Sequence, residues 1–96
     1  MSATNVLVVE DEESLATLLE YNLGKEGFDT RVASDGEEAL LRIDEKVPDL
    51  IVLDWMLPKV SGIEVCRRLR SRNDTRNLPM IMLTARAEEA DRIRGL

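Results

Sequence analysis

Four side chains of this 96-residue sequence have the types and the spacing to handle a phosphoryl group. Glu10 and Asp11 follow the apolar run Val6-Leu7-Val8-Val9, Asp54 follows Leu50-Ile51-Val52-Leu53, and Thr84 follows Met80-Ile81-Met82-Leu83. Carboxylates crowded at the ends of buried runs repel one another unless a cation neutralises them. Glu10, Asp11 and Asp54 offer oxygen ligands only, which suits a hard cation. Mg2+, with Mn2+ as a substitute, binds a few carboxylates and keeps waters that a phosphoryl oxygen can replace. A carboxylate in such a site can itself be the nucleophile and form an aspartyl phosphate. The metal then offsets the repulsion between two anions that have to meet. The Thr84 hydroxyl suits a hydrogen bond to a phosphoryl oxygen. Acidic residues after a strand are more often solvated charges or partners of a helix dipole, and Glu12 and Glu13 are read that way. Glu10, Asp11 and Asp54 stand apart only if they share one edge of one sheet.

The surrounding pattern supplies that edge. Apolar runs alternate with helix-period segments, which implies a parallel sheet with right-handed crossovers and all strand C-terminal ends on one side. Val6 to Val9 form a continuous run, as in a strand buried on both faces. Leu15, Leu18, Leu19 and Leu23 give the stripe of a first helix that Gly27 should stop. Phe28, Thr30 and Val32 alternate with polar residues, as in a strand nearer the sheet edge. Ser34-Asp35-Gly36-Glu37-Glu38 carries N-cap chemistry for a second helix with Ala39, Leu40, Ile43 and Val47, closed by Pro48. A loop with Trp55, Pro58 and Gly62 follows Asp54. Ser61 and Glu64 form a possible capping box for a third helix carrying Val65, Cys66 and Leu69. Residues 86–96 should begin a fourth helix.

Composition removes several classes. With no histidine, Ser-His and Cys-His pairs and imidazole metal sites are excluded. A net charge of −6 opposes direct nucleic-acid binding and docking on anionic lipid. No apolar run is long enough to span a bilayer, and Met1 to Asn5 lack the start of a secretory leader. The one cysteine, Cys66, cannot form an internal disulfide, so a cytoplasmic location is expected. An aspartate-nucleophile phosphatase would carry Asp-x-Asp, whereas Asp54 precedes Trp55 and Met56. A flavin carrier would follow its first strand with a hydroxyl-rich phosphate loop, whereas Glu10-Asp11-Glu12-Glu13 stands there.

Three motifs then resemble one family. Val8-Val9-Glu10-Asp11-Glu12 is similar to the acidic pocket of response-regulator receiver domains of two-component signalling. Residues 48–58, Pro48-Asp49-Leu50-Ile51-Val52-Leu53-Asp54-Trp55-Met56-Leu57-Pro58, with Ser61-Gly62, resemble its phosphoacceptor strand and loop. Pro79-Met80-Ile81-Met82-Leu83-Thr84-Ala85-Arg86 resembles its switch strand, and Asp91-Arg92-Ile93-Arg94-Gly95-Leu96 continues into the next helix. The wording is nearest the PhoB/OmpR branch of transcription factors. The resemblance implies a flavodoxin-like, doubly wound α/β fold, strand order 2-1-3-4-5. It implies Asp54 as phosphoacceptor for a sensor histidine kinase, Asp11 as a direct Mg2+ ligand, and Glu10 reaching the metal through water. It further implies that Met56 contributes its backbone carbonyl, that Thr84 is the switch hydroxyl, and that small Ala85 leaves the pocket open. Such a module is a signalling switch, not a turnover enzyme, and reaches DNA only through an attached output domain.

The family pattern continues with a fifth strand ending in Lys-Pro and a fifth helix, neither of which this sequence contains. The expectation is therefore one receiver domain over residues 1–96, incomplete at its C-terminus, with strand order 2-1-3-4. No residue matches the family's lysine, and nothing in the sequence places the Lys59 ammonium. Without the last helix, Val6, Val8 and the strand from Leu50 to Leu53 should be bared, and the edge at Met80 to Leu83 exposed, so self-association is expected. Elsewhere Cys66 reads as a small core residue, and Met80 and Met82 as strand packing. Arg67, Arg68, Arg70, Arg72 and Arg76 read as a solvated helix face, with partner docking as the alternative. Trp55 is either a pocket wall or ordinary loop packing.

Overall fold

Strands rich in Val, Ile and Leu without polar alternation can be buried on both sides, so they take the centre of a parallel sheet. The structure, a computed structural model, describes residues 3–83. Within them the chain alternates β1 (Asn5–Val9), α1 (Glu13–Lys25), β2 (Asp29–Ala33), α2 (Gly36–Glu45), β3 (Leu50–Asp54), α3 (Gly62–Arg70) and β4 (Met80–Leu83). The four strands pair in parallel in the order β2-β1-β3-β4, as expected. The expected fourth helix, with Thr84 and Ala85 before it, lies outside the described residues.

Register decides which side each residue faces. Leu7 pairs with Ile51 and Val9 with Leu53. This set packs with Ala39 and Ile43 of α2 and Val65 and Leu69 of α3. Val6 pairs with Leu50 and Val8 with Val52, and this opposite face packs with Leu19 and Leu23 of α1, Phe28 and Val32. Val6, Val8, Ile51 and Leu53 are completely buried and Val52 nearly so, with Leu50 half-buried, so the expectation that Val6, Val8 and the strand from Leu50 to Leu53 would be bared is corrected. Leu19, Leu23 and Phe28 pack against that part of the sheet. Exposure appears further out: Ile81 of β4, opposite Val52, is 50% exposed.

Local chemistry sets the helix ends. The Asp35 side chain accepts from the Glu38 amide (2.7 Å), while Glu38 reaches back to the amide of Ser34 (2.7 Å), closing the start of α2. Ser61 Oγ accepts from the Glu64 amide (3.1 Å) and starts α3. The end of α1 is a Schellman arrangement: Gly27, at φ 93°, donates to the Gly24 carbonyl, and Phe28 donates to the Leu23 carbonyl. Three packing expectations change. Leu18 is 55% exposed and Ala16 is buried in its place. At about 100° per residue, Leu15, Ala16, Leu19 and Leu23 share a face from which Leu18 points away. Val47 is exposed because α2 ends at Glu45, before Pro48 disfavours helical backbone. Cys66 is half-buried rather than part of the core.

Candidate functional site

Because β1 and β3 are parallel neighbours with Val9 opposite Leu53, the next residues stand side by side at the strand ends, Glu10 just past β1 and Asp54 as the last residue of β3. The backbone holds both. The Glu10 amide donates to the Ala33 carbonyl of β2, and the Trp55 amide to the Leu83 carbonyl of β4, each at 3.0 Å. Glu10 is 3% exposed and Asp54 4%, whereas Asp11 is open to solvent. One carboxylate oxygen from each of the three lies within 4.8 Å of the others, a group able to hold a metal ion.

The polar inventory is unbalanced. Glu10 Oε2 accepts from the Glu12 amide and Asp54 Oδ1 from the Met56 amide, both at 3.1 Å. Glu10 Oε1 is buried with no hydrogen-bond partner among the described residues. Among those residues no lysine or arginine forms an ion pair with any of the three carboxylates. Burial pushes the Glu10 carboxyl up to about 7. The Glu12 amide opposes that rise, and the neighbouring carboxyls of Asp54 and Asp11 add to it. Two buried carboxylates, an exposed third and an orphaned oxygen fit a hard cation with oxygen ligands.

The loop after Asp54 is tightly built. The Gly62 amide donates to the Trp55 carbonyl (3.0 Å), and a Cβ on Gly62 would overlap the Asp54 carbonyl oxygen. Gly62, expected in the loop, is instead the first residue of α3, and its position directly after the N-cap Ser61 is the available signal. Between them the Val60 amide donates to the Pro58 carbonyl (2.8 Å) across Lys59, which holds φ 66°. That is a tight three-residue turn with a strained central residue. The Lys59 ammonium lies 3.6 Å from Asp35 and 3.8 Å from Glu37, so its charge goes to the start of α2. Met56 contributes its amide to Asp54 while its side chain is 53% exposed. Trp55 is half-buried and bonded through its backbone in both directions. Thr84 lies outside the described residues.

The basic run is a bracing network. Arg67 and Arg68 grip Glu64, Arg72 links Asp44 of α2 to Asp74, and Arg70 donates to the carbonyls of Arg76 and Leu78. Among the described residues, no helix is long and apolar enough to cross a membrane.

Comparison with known proteins places this geometry. Residues 6–96 match the family described as the response regulator receiver domain. Over 91 residues the chain is 60% identical to the phosphate regulon transcriptional regulatory protein PhoB of Rhizobium meliloti (strain 1021), covering 95% of this chain and 40% of the relative. It is 56% identical to the alkaline phosphatase synthesis transcriptional regulatory protein PhoP of Bacillus subtilis (strain 168), covering 95% of this chain and 37% of that one. The chain thus spans about two-fifths of the length of these curated relatives. Among solved structures, the receiver domain of the Francisella response regulator 1452 superposes with a TM-score of 0.82 at 38% identity, covering 96% of this chain and 74% of that one.

Proposed function

The chain belongs to the response regulator receiver domain family of two-component signalling, and from that premise we propose that it is a phosphorylation-dependent switch with Asp54 as its phosphoacceptor. The observation that carries the reading is the buried Asp54 carboxylate within 4.8 Å of Glu10 and Asp11, with no side-chain cation paired to it among the described residues. The Met56 amide fixes one carboxylate oxygen of Asp54, which orients the other for attack. That oxygen attacks the phosphorus of a phosphohistidine on a sensor histidine kinase; the P–O bond forms as the P–N bond breaks, and the histidine nitrogen takes up a proton. Asp11, Asp54 and the backbone carbonyl of Met56 would hold Mg2+, with Mn2+ as substitute and Glu10 acting through water. Bound Mg2+ supplies the positive charge that lets an anionic acceptor meet an anionic phosphoryl group.

Thr84, the residue after β4, is assigned the hydroxyl that binds the phosphoryl group and reports it. The module promotes its own phosphorylation and dephosphorylation without turning over a substrate. Its output is control of transcription, by analogy with the regulators it resembles, with DNA reached through a separate domain and the module working in the cytoplasm. The test is intact-mass analysis of the full-length protein after incubation with acetyl phosphate and Mg2+. One hydroxylamine-labile phosphoryl group is expected, abolished in Asp54→Asn because an amide cannot form the acyl phosphate. Peptide mapping that puts the phosphate on Thr84 or Ser61 would reject the mechanism.

A further inference from the structure

The acceptor loop is gripped from a second side, by the start of α2. Gly36 lies so close to the loop that a Cβ there would overlap the Val60 carbonyl oxygen and stand 2.8 Å from both the carbonyl carbon and the Cβ of Val60. Backbone atoms cannot swing aside as a flexible side chain can, so any side chain at position 36 displaces residue 60. The α2 terminus that makes this contact is fixed in turn by the Asp35 and Glu38 caps. Lys59, beside Val60, ties the loop to Asp35 and Glu37 on either side of Gly36. Two residues beyond Val60, Gly62 presses on the Asp54 carbonyl and bonds the Trp55 carbonyl. A continuous path of close backbone contacts thus runs from the start of α2 to the peptide of Asp54.

We propose that Gly36 is a positioning residue for the acceptor site: by admitting Val60 against the α2 terminus, it sets the loop that presents the Met56 amide and carries the backbone of Asp54. The inference rests on the reading of Asp54 as phosphoacceptor. Neither Gly36 nor Lys59 touches the reacting atoms; both act through the loop. Lys59 holds a backbone conformation that glycine adopts freely, so Lys59→Gly removes the tether while relieving that strain.

The test measures initial phosphorylation by acetyl phosphate at saturating Mg2+, Mg2+ affinity from Trp55 fluorescence, and the melting temperature, all in the full-length protein. Gly36→Ala is expected to slow phosphorylation by roughly ten- to hundredfold, the scale of a misplacement near 1 Å, and to weaken Mg2+ binding. Gly24→Ala, whose Cβ meets nothing within 4 Å, is expected to change neither. Lys59→Gly should slow the reaction about two- to fivefold, the reach of an exposed ion pair, with its melting temperature kept or raised; Lys59→Arg should restore the rate. A merely structural role would lower the melting temperature and leave the folded fraction reacting normally. Wild-type protein that takes no phosphoryl group would remove the acceptor reading itself. Phosphorylation of folded Gly36→Ala at the wild-type rate overturns the role of Gly36 alone. If Gly36→Ala does not fold, Lys59→Gly decides: slowed at an unchanged melting temperature supports the proposal, unslowed overturns it.

Discussion

The flank formed by α2 and α3 and the edge formed by the ends of β1 and β3 treat charge in opposite ways. On the flank, Glu64 is matched by Arg67 and Arg68, and Arg72 by Asp44 and Asp74, all near the surface. At the strand-end edge, Glu10 and Asp54 are buried beside Asp11 without a side-chain cation among the described residues, and one Glu10 oxygen has no partner. Exposed, matched pairs contribute little each and serve mainly to fix geometry. Buried, unmatched carboxylates cost stability, so they persist where something outside the chain completes them. The matched charges that brace the fold and the unmatched charges at the strand-end edge are thus different groups, separated by burial.

The two regions should therefore respond to pH in opposite directions. The Glu10 carboxyl is raised to about 7 in the folded protein. Its contribution is fully present below the ordinary value of 4.5 and is lost as pH rises through about 7. Without divalent cations, stability should fall over that window by on the order of 3 kcal/mol from this group. Mg2+ should restore it at pH 8, and Glu10→Gln should abolish the slope and raise stability there. Melting curves across pH, with and without Mg2+, check all three. A cation-free protein with flat stability from pH 5 to pH 8 would show that burial of Glu10 is not felt. Next in size is Asp35→Ala, which removes the α2 cap and should cost about 1 kcal/mol in urea unfolding. The smallest effect belongs to the flank. Arg67 and Arg68 pull the Glu64 carboxyl down to about 2, so its contribution is present above pH 4.5 and fades as pH falls toward 2. Glu64→Gln should remove that acid-side slope, and the difference from wild type should shrink in high salt. An effect that survives in high salt would show these pairs to be more than screened surface charge.

What was legible in the sequence was whatever depended on neighbours along the chain. The strands announced themselves as uninterrupted Val, Ile and Leu runs. Asp35 with Glu38 and Ser61 with Glu64 gave two helix starts because cap partners sit three residues apart. The grouping of Glu10, Asp11 and Asp54 was readable because parallel strands must end on the same edge. What escaped depended on contacts between distant segments. Nothing local shows that Lys59 reaches Asp35 and Glu37, or that Gly36 and Gly62 let backbone approach Val60 and Asp54. Leu18 was placed inside because i, i+3 spacing alone does not centre a helix face; Ala16, small and uninformative in the pattern, is the residue that packs. The covered state of Val6 and Val8 was missed because the reach of Leu19, Leu23 and Phe28 over the sheet is set by tertiary packing.

A divalent cation should complete the edge where Glu10, Asp11 and Asp54 meet. Calorimetric titration of Mg2+ into wild-type protein and Asp11→Ala at pH 8, where Glu10 is largely ionised, tests it directly. One weak site in the wild type, also filled by Mn2+, and binding weakened most in Asp11→Ala are the predicted results. Unchanged binding in Asp11→Ala, or none in the wild type, would mean that these carboxylates do not hold a cation.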